Sequence, residues 1–126
     1  MSLIKGIHHV SMKCAPEAYG KVKAFYQDVL QMPLEREWDG GVMFSAGEGL
    51  IEIFPNAADE PGQGDIRHFA LTVSDTDACV AAVRGAGYDV FSGPENVVIR
   101  SQEPLHARIA FCHGPCGEEI EFFELR

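Results

Sequence analysis

The spacing of apolar residues changes several times along the chain, and each change marks an element. In residues 7–13 (Ile-His-His-Val-Ser-Met-Lys), bounded by Gly6 and Pro16, alternation puts Val10 and Met12 on one face and His9 and Ser11 on the other, which predicts a strand. From Pro16 the period lengthens. Val22, Phe25, Tyr26, Val29 and Leu30 recur at i, i+3, i+4, i+7 and i+8, one helical stripe that Pro33 terminates. Three short strand patterns follow, Leu34–Trp38, Gly41–Ser45 and Gly49–Phe54, with Asp39-Gly40 as a hairpin turn and Ala46–Glu48 as the next turn.

After Pro55–Asp65, a stretch rich in Gly, Pro, Asn and Asp, the same order begins again. Ile66–Val73 alternates, with Phe69, Leu71 and Val73 opposite His68, Ala70 and Thr72. Ser74 and Asp75 are N-cap candidates for a helix to about Ala86, with Val80 and Val83 on its buried side and Gly87 as its stop. Tyr88–Phe91, Val97–Arg100, Ala107–Cys112 and Glu119–Glu124 read as short strands, with Ser101–His106 as an inserted hairpin. The chain thus reads as a tandem β-α-β-β-β repeat: module one 1–55, linker 56–65, module two 66–126.

Composition narrows the function. With 126 residues and 46% hydrophobic residues the chain fits a single domain able to build a core. A formal charge of −9, with Lys and Arg scattered singly, argues against nucleic acid and anionic membrane surfaces. No apolar run is long enough for a membrane span, and the N-terminus lacks a signal-peptide pattern, so a cytoplasmic location is expected. Cys14, Cys79, Cys112 and Cys116 do not form a disulfide framework and are expected as reduced thiols. Cys112-His113-Gly114-Pro115-Cys116 lacks zinc-knuckle spacing and reads as a loop with incidental thiols.

The chemistry lies in the repeat. Each module has a histidine on its first strand and a glutamate on its last: His9 with Glu52, and His68 with Glu121. Ile51 and Ile53 flank Glu52, and Ile120 and Phe122 flank Glu121, so alternation turns the carboxylates away from the apolar packing face. All four side chains are expected on the concave side that the helices leave uncovered. Two imidazoles and two carboxylates suit a divalent Ni, Zn, Mn, Fe or Co ion with positions left for water or a chelating substrate. Taken one at a time, such residues are more often solvated or hydrogen-bonded than ligating; their matched positions in a repeat carry the assignment.

His8 is assigned to packing or an edge with Val10 and Met12, and His106 and His113 to loops in structural roles. Glu119 shares the face of Glu121 as a possible outer-layer group. Phe54 and Phe123 fall on the ligand-side faces as cavity walls. Lys13 and Arg67 are candidate cations for an anionic substrate group, with Arg67 expected on the opposite face.

These residues resemble the vicinal oxygen chelate superfamily, the glyoxalase, bleomycin-resistance and extradiol-dioxygenase group. The resemblance runs through Ile7-His8-His9-Val10, Phe25-Tyr26-Gln27-Asp28-Val29-Leu30, Ile66-Arg67-His68-Phe69-Ala70 and Gly117-Glu118-Glu119-Ile120-Glu121. It implies an α+β, glyoxalase-like fold: two tandem βαβββ modules forming a curved, cup-shaped mixed sheet with helices outside, around a metal held by His9, Glu52, His68 and Glu121. The His-Glu-His-Glu set is most similar to glyoxalase I, which isomerises the adduct of a 2-oxoaldehyde and a thiol. Asn56 matches a position that contacts glutathione in some glyoxalases. Lys13 stands where those enzymes usually have arginine, Gln31 where they have glycine, and Gly114-Pro115-Cys116-Gly117 where they have Asp-Pro-Asp-Gly, which leaves the thiol open.

The expected function is a metal-dependent glyoxalase I-like lyase/isomerase. The metal stabilises the enediolate formed when a proton leaves the carbon beside a carbonyl, and Glu121, or alternatively Glu52, moves that proton. Lys13, Phe54, Asn56 and Phe123 are the expected substrate contacts, and a small molecule and a second copy in a homodimer the expected partners. A metal-dependent epimerase, an extradiol dioxygenase, and a non-catalytic small-molecule-binding resistance protein are the alternatives.

Overall fold

The computed structural model describes Leu3, residues 6–58 and residues 67–126. Most of the expected linker, residues 59–65, and the expected strand start at Ile66 lie outside the described residues. The chain divides into two compact units, Met1–Pro61 and Gly62–Arg126.

In the first unit, β1 (His9–Lys13) is followed by a 3-10 turn at Pro16–Ala18, α1 (Tyr19–Ala24) and a π turn at Phe25–Val29. Then come β2 (Leu34–Trp38), β3 (Gly41–Ala46) and β4 (Gly49–Phe54). The expected single helix is therefore three windings. Pro16 starts it because its fixed φ and missing N–H cost nothing in a first turn. The wide end comes from Leu30 N–H donating to Phe25 O at 3.0 Å, five residues back. Gln31, at φ 56°, stops the winding two residues before Pro33. Most of the stripe is buried as expected: Val22, Phe25 and Tyr26 are each at most 1% exposed, while Val29 and Leu30 at its end are half-buried. The Tyr26 ring stacks on Phe44 with centroids 6.2 Å apart, and its hydroxyl donates to Met12 Sδ at 3.9 Å, which ties the π turn to β3 and β1. Removing such a ring typically costs about 3–5 kcal/mol.

The second unit comprises β5 (His68–Thr72), α2 (Thr76–Gly85), β6 (Val90–Ile99), β7 (Leu105–His113) and β8 (Glu119–Leu125). Tyr88–Phe91 and Val97–Arg100, expected as separate strands, contribute to one ten-residue strand. Gly93-Pro94, which punctuates the sequence, sits in bulges where the register shifts against β7 between Val90 and Ser92 and again before Glu95. With β6 whole, the second unit has the same βαβββ order as the first. The expected Ser101–His106 insertion shortens too, because Leu105 and His106 are already in β7.

Helix α2 begins where the sequence placed its cap: Asp75 Oδ1 accepts from Ala78 N–H at 3.0 Å. Val80 and Val83 are buried, and the Thr76 hydroxyl donates to Arg108 O on β7 at 2.9 Å. The helix is thus tied to the sheet by packing and by a buried hydrogen bond.

Each unit holds a four-stranded mixed sheet, ordered β1-β4-β3-β2 and β5-β8-β7-β6. In both, the first strand runs parallel to the last and the other neighbours are antiparallel. This topology brings the histidine-bearing strand directly against the glutamate-bearing one. Among the described residues no helix is long and apolar enough to cross a membrane.

Candidate active site

The two parallel pairs place histidine and glutamate in the same relation. His9 is in register with Leu50 and Ser11 with Glu52; His68 is in register with Glu119 and Ala70 with Glu121. In each unit the glutamate therefore lies two residues beyond its histidine's register partner, on the same face. His9 Nε2 stands 3.4 Å from Glu52 Oε1, and His68 Nε2 stands 3.1 Å from Glu121 Oε1. The imidazoles are partly open, with side chains 38% and 37% exposed, whereas the carboxylates are 9% and 11% exposed.

Burying a carboxylate is costly unless it is paired, and the facing imidazole supplies the pair. Glu52 lies opposite Met43 on β3, and Glu121 opposite Phe111 on β7, so a larger side chain shields each from that side. Each pair sets an imidazole nitrogen beside a carboxylate oxygen, with the imidazole the more open of the two. Among the described residues, no group of three or more His, Cys, Asp or Glu side chains is gathered to hold a metal ion.

The three remaining histidines differ in position and surroundings. His8 is exposed just before the edge strand β1, which agrees with the edge half of its assignment and not with packing beside Val10 and Met12, and its Nδ1 lies 2.9 Å from His9 Nδ1. His106 is exposed within β7 instead of on a loop. His113 is the last residue of β7 and has carboxylate neighbours on both sides. Its Nδ1 lies 3.0 and 3.2 Å from the Asp89 oxygens, and its Nε2 lies 4.0 Å from Glu119 Oε1. Phe91 stacks on its ring at a centroid distance of 4.3 Å. Carrying the alternation of Ala110 and Cys112 one residue further would have put His113 on the face of Glu119 and Glu121.

Trp38, which the sequence does not single out, lies beside one of the candidate residues. It meets Phe54 edge-on at 6.0 Å, on the face that carries Glu52. Phe54 itself is half-buried, and Lys13 is exposed at the end of β1, two residues past Ser11 on the His9 face. Asn56 is exposed beyond β4, Phe123 is in register with Thr72 and Ile109, and Arg67 is exposed just before β5. The Cys112–Cys116 segment is not one loop: Cys112 is buried in β7, where burial pushes its thiol up to about 12. The turn after it is held by Cys116 N–H donating to Glu118 Oε1 at 2.7 Å.

A family model, the Glyoxalase/Bleomycin resistance protein/Dioxygenase superfamily, matches residues 6–122. The uncharacterized protein YaeR of Escherichia coli (strain K12) is 28% identical over 134 aligned positions, covering 96% of this chain and 97% of that protein. Among solved structures, TnmS3, an antibiotic binding protein from Streptomyces sp. CB03234, superposes with TM-score 0.76 at 20% identity, covering 100% of both chains. A glyoxalase family protein from Enterococcus faecalis gives TM-score 0.72 at 22% identity over 98% of this chain and 100% of that one. Lactoylglutathione lyase from Agrobacterium tumefaciens gives 0.66 at 19% identity, covering 96% and 94%. At these identities the structures share a fold with this chain, whose residues alone can speak for its chemistry.

Proposed function

The chain belongs to the Glyoxalase/Bleomycin resistance protein/Dioxygenase superfamily, and within it we propose a metal-dependent glyoxalase I-like lyase/isomerase acting on the adduct of a small 2-oxoaldehyde and a thiol. One observation carries this reading: the same His–Glu pair, in the same register relation, stands in each unit at 3.4 and 3.1 Å.

The donor chemistry fits a divalent ion. Two ligands each about 2.0–2.2 Å from a metal stand roughly 3 Å apart when adjacent, close to both observed separations. We take His9, Glu52, His68 and Glu121 as the donors. A bound Ni, Zn, Mn, Co or Fe ion would act as a Lewis acid toward the vicinal oxygens of the substrate.

Glu121 is the base that moves the carbon-bound proton, with Glu52 as the alternative. It takes the proton from the carbon bearing sulfur and hydroxyl and returns it to the neighbouring carbon, so the carboxylate is regenerated in each cycle. Its low exposure keeps bulk water from competing for that proton. Lys13 and Asn56 are assigned to the polar end of the substrate, and Phe54 and Phe123 to its apolar body. The same reading takes residues 1–126 as one domain and the protein as a cytoplasmic homodimer.

The test is metal analysis of protein reconstituted with each of the five metals, followed by an isomerase assay on methylglyoxal–thiol adducts. Stoichiometric metal with turnover is expected. Protein without stoichiometric metal would sink the reading, and metal-loaded protein that binds adducts without turnover would replace it with a binding function.

A further inference from the structure

We propose that His113 is a second proton-transfer group of this reaction, carrying the hydroxyl proton between the two substrate oxygens while Glu121 carries the carbon-bound proton. The inference rests on the isomerase reading and adds a residue that the repeat pattern does not supply.

The imidazole is positioned by three contacts. Asp89 presents both oxygens to Nδ1 at 3.0 and 3.2 Å, and a carboxylate only accepts, so Nδ1 carries the proton. In the neutral ring the lone pair is then on Nε2, the orientation an acid–base histidine needs. Phe91 covers one ring face at 4.3 Å and prevents rotation. On the other side, Nε2 lies 4.0 Å from Glu119 Oε1, too far for a direct hydrogen bond, and the ring remains partly open at 38% exposure. A substrate hydroxyl has both the opening and the acceptor it requires.

Register places this nitrogen with the base. His113 is paired with Glu119 and Phe111 with Glu121 across β7 and β8, so His113 is the diagonal neighbour of Glu121 on one face. Such neighbours are about 7–8 Å apart at the backbone, a span that a small two-carbon centre fits between two side chains. Among the described residues, the first unit has no imidazole at the matched position. At the matched positions Ser45 is paired with Leu50, and Ser45 Oγ accepts from Gly47 N–H at 3.4 Å, so the second acid–base group belongs to the unit of Glu121.

The step balances without an added oxidant or reductant. In the adduct one carbon bears hydrogen, hydroxyl and sulfur, and its neighbour is a carbonyl. Glu121 moves the hydrogen as a proton from the first carbon to the second. His113 Nε2 accepts the proton of the first oxygen, whose O–H pair becomes the new carbonyl, and delivers it to the second oxygen, which becomes the hydroxyl. Both groups end as they began.

The experiment compares metal-loaded wild type, His113→Gln, Asp89→Asn and Glu121→Gln on the methylglyoxal–thiol adduct, with nitrogen-15 NMR of the imidazoles in metal-free protein. His113→Gln is expected to lower kcat roughly 100-fold or more with KM little changed, and Asp89→Asn to give a smaller kcat loss while shifting the His113 tautomer away from Nδ1–H. Asp89→Asn keeps the imidazole and its stacking, so its loss separates proton transfer from folding. An active wild type with His113→Gln unchanged in kcat, or wild-type His113 protonated on Nε2 alone, overturns the inference. An inactive wild type overturns the isomerase reading and this inference with it.

Discussion

The ring of Phe111 meets the imidazole of His68 edge-on, with centroids 5.1 Å apart and planes at 87°. Phe111 is also the register partner of Glu121, so the residue that contacts the His68 ring sits across from the other member of the pair in the second unit. In the first unit Met43 takes the corresponding place, and His9 instead meets the His8 ring at 5.2 Å. Replacing Phe111 by Ala frees the His68 ring without removing a donor. Metal affinity is expected to fall roughly 10-fold, within the range found for supports of metal ligands, whereas Met43→Ala should have a smaller effect. Competition against a chromogenic chelator measures both, and equal affinities for wild type and F111A would contradict a role for Phe111 in holding His68.

Glu121 and Glu52 are matched in position, but their neighbours differ: His113 is the diagonal neighbour of Glu121 across β7 and β8, whereas Ser45 holds that place beside Glu52. Glu121→Gln keeps an oxygen donor but loses the basic lone pairs of a carboxylate. It should abolish turnover while leaving much of the metal bound, and Glu52→Gln should retain measurable activity. Parallel metal content and kcat for the two variants decide the assignment; unchanged turnover in E121Q removes that residue from the reaction.

Much of this arrangement is legible in the sequence because strand alternation is a strict two-residue period. Ile51–Glu52–Ile53 and Ile120–Glu121–Phe122 state which way each carboxylate points before any fold is known. The pairing of His9 with Glu52 in space requires a further fact, that the first and last strands of each unit are parallel neighbours, and periodicity does not report neighbours. Gly93-Pro94 misled for a different reason: the residues that end a strand locally can be carried through it by bulges when the partner strand continues. His113 was hidden because the Gly-Pro after it looks like the start of a loop one residue early. Its partner Asp89 lies 24 positions away, beyond the reach of any local pattern.

The four cysteines divide by environment. Cys14 and Cys112 are buried, and burial raises the Cys112 thiol to about 12. Cys79 is partly covered, and its thiol is raised first by desolvation and then by the charges of Asp75 and Glu124. The thiolate is the reactive form, so a raised value suppresses reaction near neutral pH. Ellman's reagent on folded protein should label Cys79 slowly, with Cys14 and Cys112 labelled only after unfolding. Four fast thiols in the folded state would contradict this ordering.

Asp77 links α2 to β7 through two hydrogen bonds from Arg108, at 2.8 and 2.9 Å. Those bonds, and secondarily the positive charge of Arg108, hold the Asp77 carboxyl below its ordinary value of 3.8. A depressed folded value means the ionised form is favoured by folding, so its contribution is present above 3.8 and is lost as pH falls through the folded value. Chemical denaturation of wild type and Asp77→Asn should therefore differ near neutral pH and converge in acid. A gap that widens on acidification would reverse the sign and exclude the Arg108 contact as its source. The contact is exposed, so the difference should also shrink at high salt.

Gly41 is the position where the first unit's aromatic pair has least tolerance. A Cβ there would lie 2.8 Å from Trp38 Cζ2, 2.9 Å from Ile53 O and 3.2 Å from Phe54 Cδ1. The tryptophan end can move, but the carbonyl belongs to β4 beside Glu52 and cannot move without disturbing that strand. Gly41→Ala is expected to destabilise by about 1–3 kcal/mol, the range for overpacking a filled site. Trp38 is the single tryptophan of the chain, so its emission reports the displacement directly. A lower melting temperature together with a shifted Trp38 emission maximum is the expected result. Gly85→Ala, where an added Cβ meets nothing within 4 Å, is the control that should leave emission unchanged. If G41A melts with wild type and its emission does not move, Trp38 and Phe54 are not held by this contact, and the wall they form on the Glu52 face is looser than the geometry requires.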